Sequence, residues 1–355
     1  MNRLRTWQCA VPLALGAIAL NPLAANAASY SLGEAADYNV VVLGDYDMFN
    51  TDVQGKLAVG GDFTADTFGV GERLRGDSHG TTLVVGGDVY LSNGKVYGDA
   101  VYGGSATVAQ DVGFEFRAED DTILSEAEIS QGTPLNFETL GQYLKDLSQS
   151  IADMALGQTY NEITEPIAGG LATTITSATT SVLYEQYDDD VVLAKFTGTD
   201  PIENVFNIDG EDLEDFNKLT FDVPETATII INVEGDDLDL GGFGFAFGDQ
   251  DCNDLSVHYL CRELSENILF NFAEASTLSI SEVGWMGSIL APSADIAFNN
   301  GHINGTLIAG SLSGTGESHL HLFNSDEPST PVPEPTGVLS LGLLGMGLVR
   351  LSRRA

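Results

Sequence analysis

The sequence predicts a mainly β protein: a solenoid-like or sandwich β domain with one flanking amphipathic α-helix. The first observation is a repeat, in which an apolar strand runs into a Gly-Gly pair: KLAVGGDF at residues 56–63, TLVVGGDV at 82–89 and a weaker DAVYGGSATV at 99–108. Glycine permits positive φ and a sharp corner. Strand, corner and strand in repetition predict stacked coils or a strand-rich sandwich.

The second observation is a single helical pattern at about residues 134–157. Its apolar side chains recur at helical spacing, with Pro134 at the start and Gly157 at the end. The stripe that we expect to pack against the sheet is Leu140, Tyr143, Leu144, Leu147, Ile151 and Met154.

The second half of the chain returns to strand patterns. LATTITSATTSVLYEQY at residues 171–187 is rich in β-branched residues and predicts one or two strands, and residues 226–235 predict a buried one. Asn300-Gly301 and Asn304-Gly305 predict tight turns with positive φ.

Charge is distributed very unevenly along the chain. Residues 28–334 hold all 52 acidic residues and only nine of the 14 basic ones, a formal charge of −43. Such a body repels nucleic acid and anionic membrane surfaces and attracts cations. The acids alternate with many Val, Ile, Leu and Phe, so the segment is long and apolar enough to fold around a core.

The first 27 residues have the three parts of a signal peptide. Arg3 and Arg5 precede the apolar run 11–20, and the small residues of ANA end at Ala27, so cleavage is predicted between Ala27 and Ala28. We therefore expect export across the inner membrane. Of three cysteines, Cys252 and Cys261 stay in the mature chain; they are predicted to form a disulfide in an oxidising compartment, with a free buried pair as the alternative.

The C-terminus combines a Pro-Glu-Pro, a short apolar run and a basic end. Residues 336–349 are too few for a typical membrane span. Val332, Pro333, Glu334 and Pro335, followed by the apolar run and by Arg350, Arg353 and Arg354, resemble the PEP-CTERM sorting signal of Gram-negative bacteria. The resemblance implies cleavage by an exosortase, only transient membrane contact through the tail, and a final location at the cell surface or outside. A permanent weak anchor is the alternative.

Longer segments resemble the choice-of-anchor A domain. They include YNVVVLGDYDMFNTDVQGKLAVGGDF, PLNFETLGQYLKDLSQSI and GSILAPSADIAFNNGHINGTLIAGSLSG. We accordingly divide the chain into a signal peptide (1–27), this β domain (28–324), a short linker (325–331) and the sorting tail (332–355). The resemblance implies an extracellular domain joined to one of several anchors, and it brings no catalytic residues.

Two groups of residues are candidate metal ligands. Asp249, Asp251 and Asn253 alternate like the first half of an EF-hand loop and predict calcium binding, although Asp254 and Leu260 stand where that loop has its glycine and its final glutamate. A solvated acidic loop is the alternative. His319, His321 and Glu317 would share one face of a strand and would need a further ligand.

The chain has no HExxH motif, and we predict that it is not an enzyme. The predicted role is structural or adhesive, in the envelope or the biofilm matrix, with exosortase and the export machinery as partners and with exopolysaccharide or matrix proteins as ligands. A polysaccharide hydrolase that uses acidic residues remains open, and so does an ice-binding protein with a flat threonine face.

Overall fold

The computed structural model describes residues 30–76, 79–133, 135–156, 161–168, 170–177, 179–187 and 191–324. The predicted signal peptide with its cleavage site, the linker and the sorting tail lie outside these residues. The described chain is mainly β with short helices, which confirms the predicted fold class.

The first arm of the fold follows a short 3-10 helix (Gly33–Asp37). Its strands are β1 (Val40–Val42), β2 (Tyr46–Val53), β3 (Leu57–Val59), β4 (Phe63–Val70), β5 (Thr81–Val85), β6 (Val89–Val96), β7 (Asp99–Tyr102), β8 (Ala106–Val108), β9 (Gly113–Arg117), β10 (Ile123–Glu126) and β11 (Ile129–Gln131). Helix α1 (Phe137–Leu156) comes next.

The rest of the chain forms a second sheet and a second arm. The strands are β12 (Asn161–Ile167), β13 (Gly170–Thr176), β14 (Thr180–Tyr187), β15 (Val191–Gly198), β16 (Glu203–Asp209), β17 (Phe216–Asp222), β18 (Thr228–Glu234), β19 (Asp237–Gly241), β20 (Gly244–Phe247), β21 (Gln250–Asp251), β22 (Ile268–Asn271), β23 (Thr277–Ser281), β24 (Gly284–Met286), β25 (Ser288–Asn299), β26 (His302–Asn304), β27 (Leu307–Gly314) and β28 (Glu317–His319). The second sheet consists of β12, β13, β14, β15, β17, β20 and β21, and the other strands named here form the second arm. The helices are α2 (Gly210–Glu214) and α3 (His258–Ser265). No helix in the described residues is both long and apolar enough to cross a bilayer.

Parallel strands stack coil upon coil in three columns around an apolar core. Face A runs in the order β16, β18, β22, β25, β27, β1, β3, β5, β7, β11. Face B runs in the order β19, β23, β25, β27, β2, β4, β6, β8, because the long strands contribute to more than one face. Face C contains β24, β26, β28 and the later parts of β2, β4 and β6, and ends at β9.

The order of coils in space differs from their order in the chain. β1 pairs on one side with β3, which belongs to the next coil in the chain, and on the other with β27, which belongs to the last coil. Val40 lies opposite Leu307 and Val42 opposite Ala309. The two arms therefore form one continuous solenoid whose middle is made from both ends of the domain.

Helix α1 covers face A, as the apolar stripe predicts. Leu140, Leu144 and Ile151 are buried in one cluster with outward residues of the sheet such as Val41 and Ile230. The predicted burial is wrong for one residue of the stripe, since Tyr143 is 40% exposed. Its hydroxyl donates to the Ser31 carbonyl oxygen at 2.6 Å, so the tyrosine fastens the N-terminal segment to the outside of the helix.

A buried polar network fixes α1 against face A. Asn271 Nδ2 donates to the Ser148 carbonyl oxygen at 2.9 Å and to Asn232 Oδ1 at 2.8 Å, and Ser148 Oγ donates to Asn271 Oδ1 at 2.6 Å. Asn232 Nδ2 reaches the Ile151 carbonyl oxygen at 3.3 Å. Because these buried groups satisfy one another, a shift of α1 along the sheet would leave several of them without partners.

The Gly-Gly pairs form the corner between faces A and B. Gly87 N–H donates to the Gly61 carbonyl oxygen at 2.9 Å, and Gly104 N–H donates to the Gly87 carbonyl oxygen at 2.9 Å. None of these glycines uses the positive φ that glycine permits. Glycine is required for another reason: a Cβ on Gly87 would lie 2.6 Å from the Gly61 carbonyl oxygen of the coil below.

In the second half of the chain the predicted strands are present, but the predicted turn geometry is only partly found. Residues 226–235 contain the buried strand β18, and the Thr-rich segment forms β13 and β14 of the second sheet. Asn300 has the predicted positive φ of 53°, but Asn304 and Gly305 do not have positive φ. Asn304 is buried in β26, where its amide donates to the Trp285 carbonyl oxygen at 3.1 Å. Gly305 is needed because a Cβ there would collide with the Gly287 carbonyl oxygen.

We predict that Gly87→Ala destabilises the protein by about 1–3 kcal/mol, because the added methyl group overpacks the corner. Gly113→Ala is the matched control, since a Cβ there meets nothing closer than Lys95 Cγ at 3.7 Å. Urea unfolding of both variants measures the difference. Equal losses in the two variants would show that close coil contact does not explain the Gly-Gly pairs.

Candidate functional site

The outward side chains of face B in the first arm follow a two-residue alternation. In β2, Tyr46 and Met48 are buried, whereas Asp47 and Phe49 are exposed. β4 and β6 repeat the pattern, because successive side chains of a strand point to opposite sides of the sheet. The outward residues therefore form rows that cross the strands from coil to coil.

We call the outward residues of β2, β4, β6 and β8 on this face the platform. One row consists of Asp47, Thr64, Tyr90 and Thr107, and the next consists of Phe49, Asp66 and Ser92. Phe49 and Tyr90 are 51% and 43% exposed. A shallow, mainly apolar depression of about 360 Å³ is lined by residues of β4, β6 and β8, and Tyr90 is one of them.

Tyr90 is held in place by a ladder of aspartates along the Gly-Gly corner. Its hydroxyl donates to Asp88 Oδ2 at 3.2 Å, and Asp88 Oδ1 accepts from Ser105 N–H at 2.7 Å. Asp62 and Asp45 make the same contact with the coil above, each at 2.8 Å. The Ser105 N–H holds the pKa of Asp88 below its usual range, so this carboxylate stays charged beside the ring.

Left-handed residues bend the chain at the far border of the platform. Asn50, Thr67 and Asn93 have φ values of 48°, 56° and 50°, and they stack in register between faces B and C. Asn93 Nδ2 donates to Thr67 Oγ1 at 2.9 Å. The ladder is interrupted at these three residues, which marks the corner between the two faces.

A second concave feature lies beside α3. This hollow of about 300 Å³ is lined by apolar side chains, including Phe221 and Phe247, and by the acids Asp222, Glu225 and Asp249. Carboxylates among apolar neighbours are what the hydrolase alternative requires, although Asp222 is paired with Lys195 Nζ at 2.7 Å.

The disulfide between Cys252 and Cys261 agrees with the predicted pairing. Their Cα atoms are 5.8 Å apart, and both residues are buried. The bridge holds the start of α3 against the turn after β21, and Leu260 and Leu264 of α3 form one wall of the hollow.

The predicted calcium ligands do not form an obvious cage. Asp251 Oδ2 accepts from Lys218 Nζ at 2.7 Å, and its Oδ1 accepts from Asn253 N–H at 3.0 Å. Asp249 faces the hollow. In the described part of the chain, no three His, Cys, Asp or Glu side chains converge as a metal site would require. Calcium binding stays a prediction without support from this geometry.

The C-terminal histidines are arranged differently from the prediction. β28 ends at His319, so His321 is not part of the strand and instead contacts Glu266 Oε1 at 3.1 Å. His319 lies 3.5 Å from Glu317 and stacks on His302 with ring centroids 4.5 Å apart. Burial, with the nearby Arg262 and the neighbouring rings, lowers the pKa of His302 to about 4 and that of His319 to about 3.

The amino-acid sequence alone does not identify the platform. The strand after each Gly-Gly pair alternates buried apolar residues with outward ones, and this pattern can be found in the sequence. That Tyr90 lies beside Thr64 depends on the pairing register of β4 and β6, which the sequence does not reveal. The flat threonine face of the ice-binding alternative is not found on face B of the first arm, where threonines alternate with carboxylates and aromatic rings.

One protein family matches nearly the whole described chain. The family, described as Putative Ice-binding-like adhesive domain, covers residues 31–320. The match is consistent with a surface protein of the choice-of-anchor kind. No curated protein and no solved structure matches the chain.

We predict that acid destabilises the fold through the stacked histidines. Their folded pKa values lie below the unfolded value of about 6.5, so the unfolded state binds more protons and stability falls as pH drops from about 6.5 towards 4. Two shifts of this size would together remove about 6 kcal/mol, and because both rings are only partly buried and screened by solvent, we expect about half of that, on the order of 3 kcal/mol. Urea unfolding across this pH range measures it, and the double variant H302Q/H319Q should give a flatter profile. An unchanged profile in that variant would contradict the assignment.

Proposed function

Because the chain belongs to the ice-binding-like adhesive domain family, we propose that it is an adhesive protein of the cell surface or extracellular matrix that makes contact through the platform. The family match over residues 31–320 is the observation that carries this proposal. The stacked coils support it, since they present a broad face without relying on loops. A body that is strongly negative between residues 28 and 334 disfavours anionic ligands.

The proposed route is export by the signal peptide, cleavage before Ala28 and processing by an exosortase near Val332–Pro335 in a Gram-negative envelope. The proposed setting is a biofilm matrix, with exopolysaccharide or matrix proteins as ligands. We also propose that the acidic body attracts calcium.

The intact mass of the protein from envelope and extracellular fractions tests the route. We expect a species that begins at Ala28, ends near the Pro-Glu-Pro and gains two hydrogens on reduction of the Cys252–Cys261 bridge. A species that retains residues 336–355 in the membrane fraction would show that the tail is an anchor.

Surface attachment of cells tests the adhesive role. We expect a deletion strain to attach less to a matrix-coated surface than the parent, and the full chain supplied in trans to restore attachment. Equal attachment of parent and deletion strain would overturn the proposal. Release of reducing ends from matrix polysaccharide by the purified protein, abolished in Glu225→Gln, would instead favour the hydrolase and the hollow beside α3.

A further inference from the structure

We propose that the platform binds a linear polysaccharide of amino sugars, with one sugar ring stacked on Tyr90 and protonated amino groups beside Asp66 and Asp47. The inference rests on the proposed adhesive function and names its ligand class. Three properties of the described residues carry it: the position of the aromatic rings, the amphipathic surface between them and the sign of the charge.

The distance between the two exposed aromatic rings suits an extended ligand that contacts both of them. Phe49 and Tyr90 lie two strands apart and are offset by two residues along the strand. With standard strand spacing and rise this gives a separation of about 12 Å, comparable with the length of a disaccharide. A linear glycan can therefore cross the strands with rings that contact both side chains.

The surface between the rings suits a pyranose, which has apolar C–H faces and a rim of polar groups. Tyr90 offers an aromatic face at the edge of an apolar depression. The hydroxyls of Thr64 and Thr107 stand on either side of it in the same row. Because Asp88 fixes the Tyr90 hydroxyl, the ring is ordered before a ligand arrives.

Charge selects amino sugars among such polymers. Asp47 and Asp66 belong to the platform, and the aspartate ladder runs along its border. The platform contains no Lys or Arg, so an acidic polysaccharide would meet only like charge. A protonated amino group would gain carboxylate partners that a neutral sugar cannot use.

The same face of the second arm provides internal controls. Its outward residues include Asp239, Ser279 and Ala297, which lie in register across β19, β23 and β25 and include no aromatic ring. Tyr259, on α3, is 67% exposed and lies outside face B. Asp239→Asn is therefore the control for the loss of a carboxylate, and Tyr259→Ala is the control for the loss of an exposed aromatic ring. Both lie outside the platform.

Calorimetric titration of the purified full chain with a glucosamine hexamer tests the proposal. We expect binding to weaken by about tenfold in Tyr90→Ala and Phe49→Ala, to be largely kept in Tyr90→Phe, and to weaken in Asp66→Asn. Asp239→Asn and Tyr259→Ala should bind like the parent. Urea unfolding of every variant separates lost binding from lost folding.

Several results would overturn the proposal. These are failure of the parent chain to bind the hexamer, equal weakening in the control variants, or equally tight binding of an N-acetylglucosamine hexamer, cellohexaose or polygalacturonate. If Tyr90→Ala reduces cell attachment although no glycan binds, the ligand is a protein and the adhesive function stands. If the deletion strain attaches like the parent, the adhesive function fails whatever the titration gives.

Discussion

The pairing of β27 with β1 is the contact on which the rest of the structure depends. Each arm taken alone would end at this point in an open strand edge, with unpaired backbone groups on all three faces. Pairing removes both edges at once and continues the core, since Leu307 and Ala309 meet Val40 and Val42 inside the stack. The first strand of the platform, β2, pairs directly with β27, so the platform rests on a coil contributed by the other arm.

Local sequence signals predicted the elements of the fold better than their arrangement. The Gly-Gly repeats, the helical stripe and the buried strand β18 depend on residues close together in the chain, and all three are found. Tyr143 and Asn304 were misjudged because their roles depend on distant partners, Ser31 in one case and Trp285 in the other. The interleaving of the arms likewise has no local signal, because a parallel β coil can pair with any apolar coil of matching length.

The candidate site was harder to predict than the fold for a related reason. The sequence pattern predicted metal ligands such as Asp251 and His321 from their residue types. In the structure Asp251 pairs with Lys218 and His321 contacts Glu266. The platform consists of threonine, aspartate and aromatic residues that form a site only because the strand register places them side by side. Thr64, Tyr90 and Thr107 are widely separated in the chain and become neighbours only through coil stacking.

The interleaved arms also set an order of events during synthesis. The first arm and α1 are made well before β27, so β1 must wait with one edge unpaired until nearly the whole domain exists. Contacts between segments so distant in sequence form slowly, because the intervening chain must first lose its freedom. The domain is therefore expected to complete its folding in one late step. A chain truncated before Leu307 would expose an unpaired edge of β1 that can pair with a strand of another molecule.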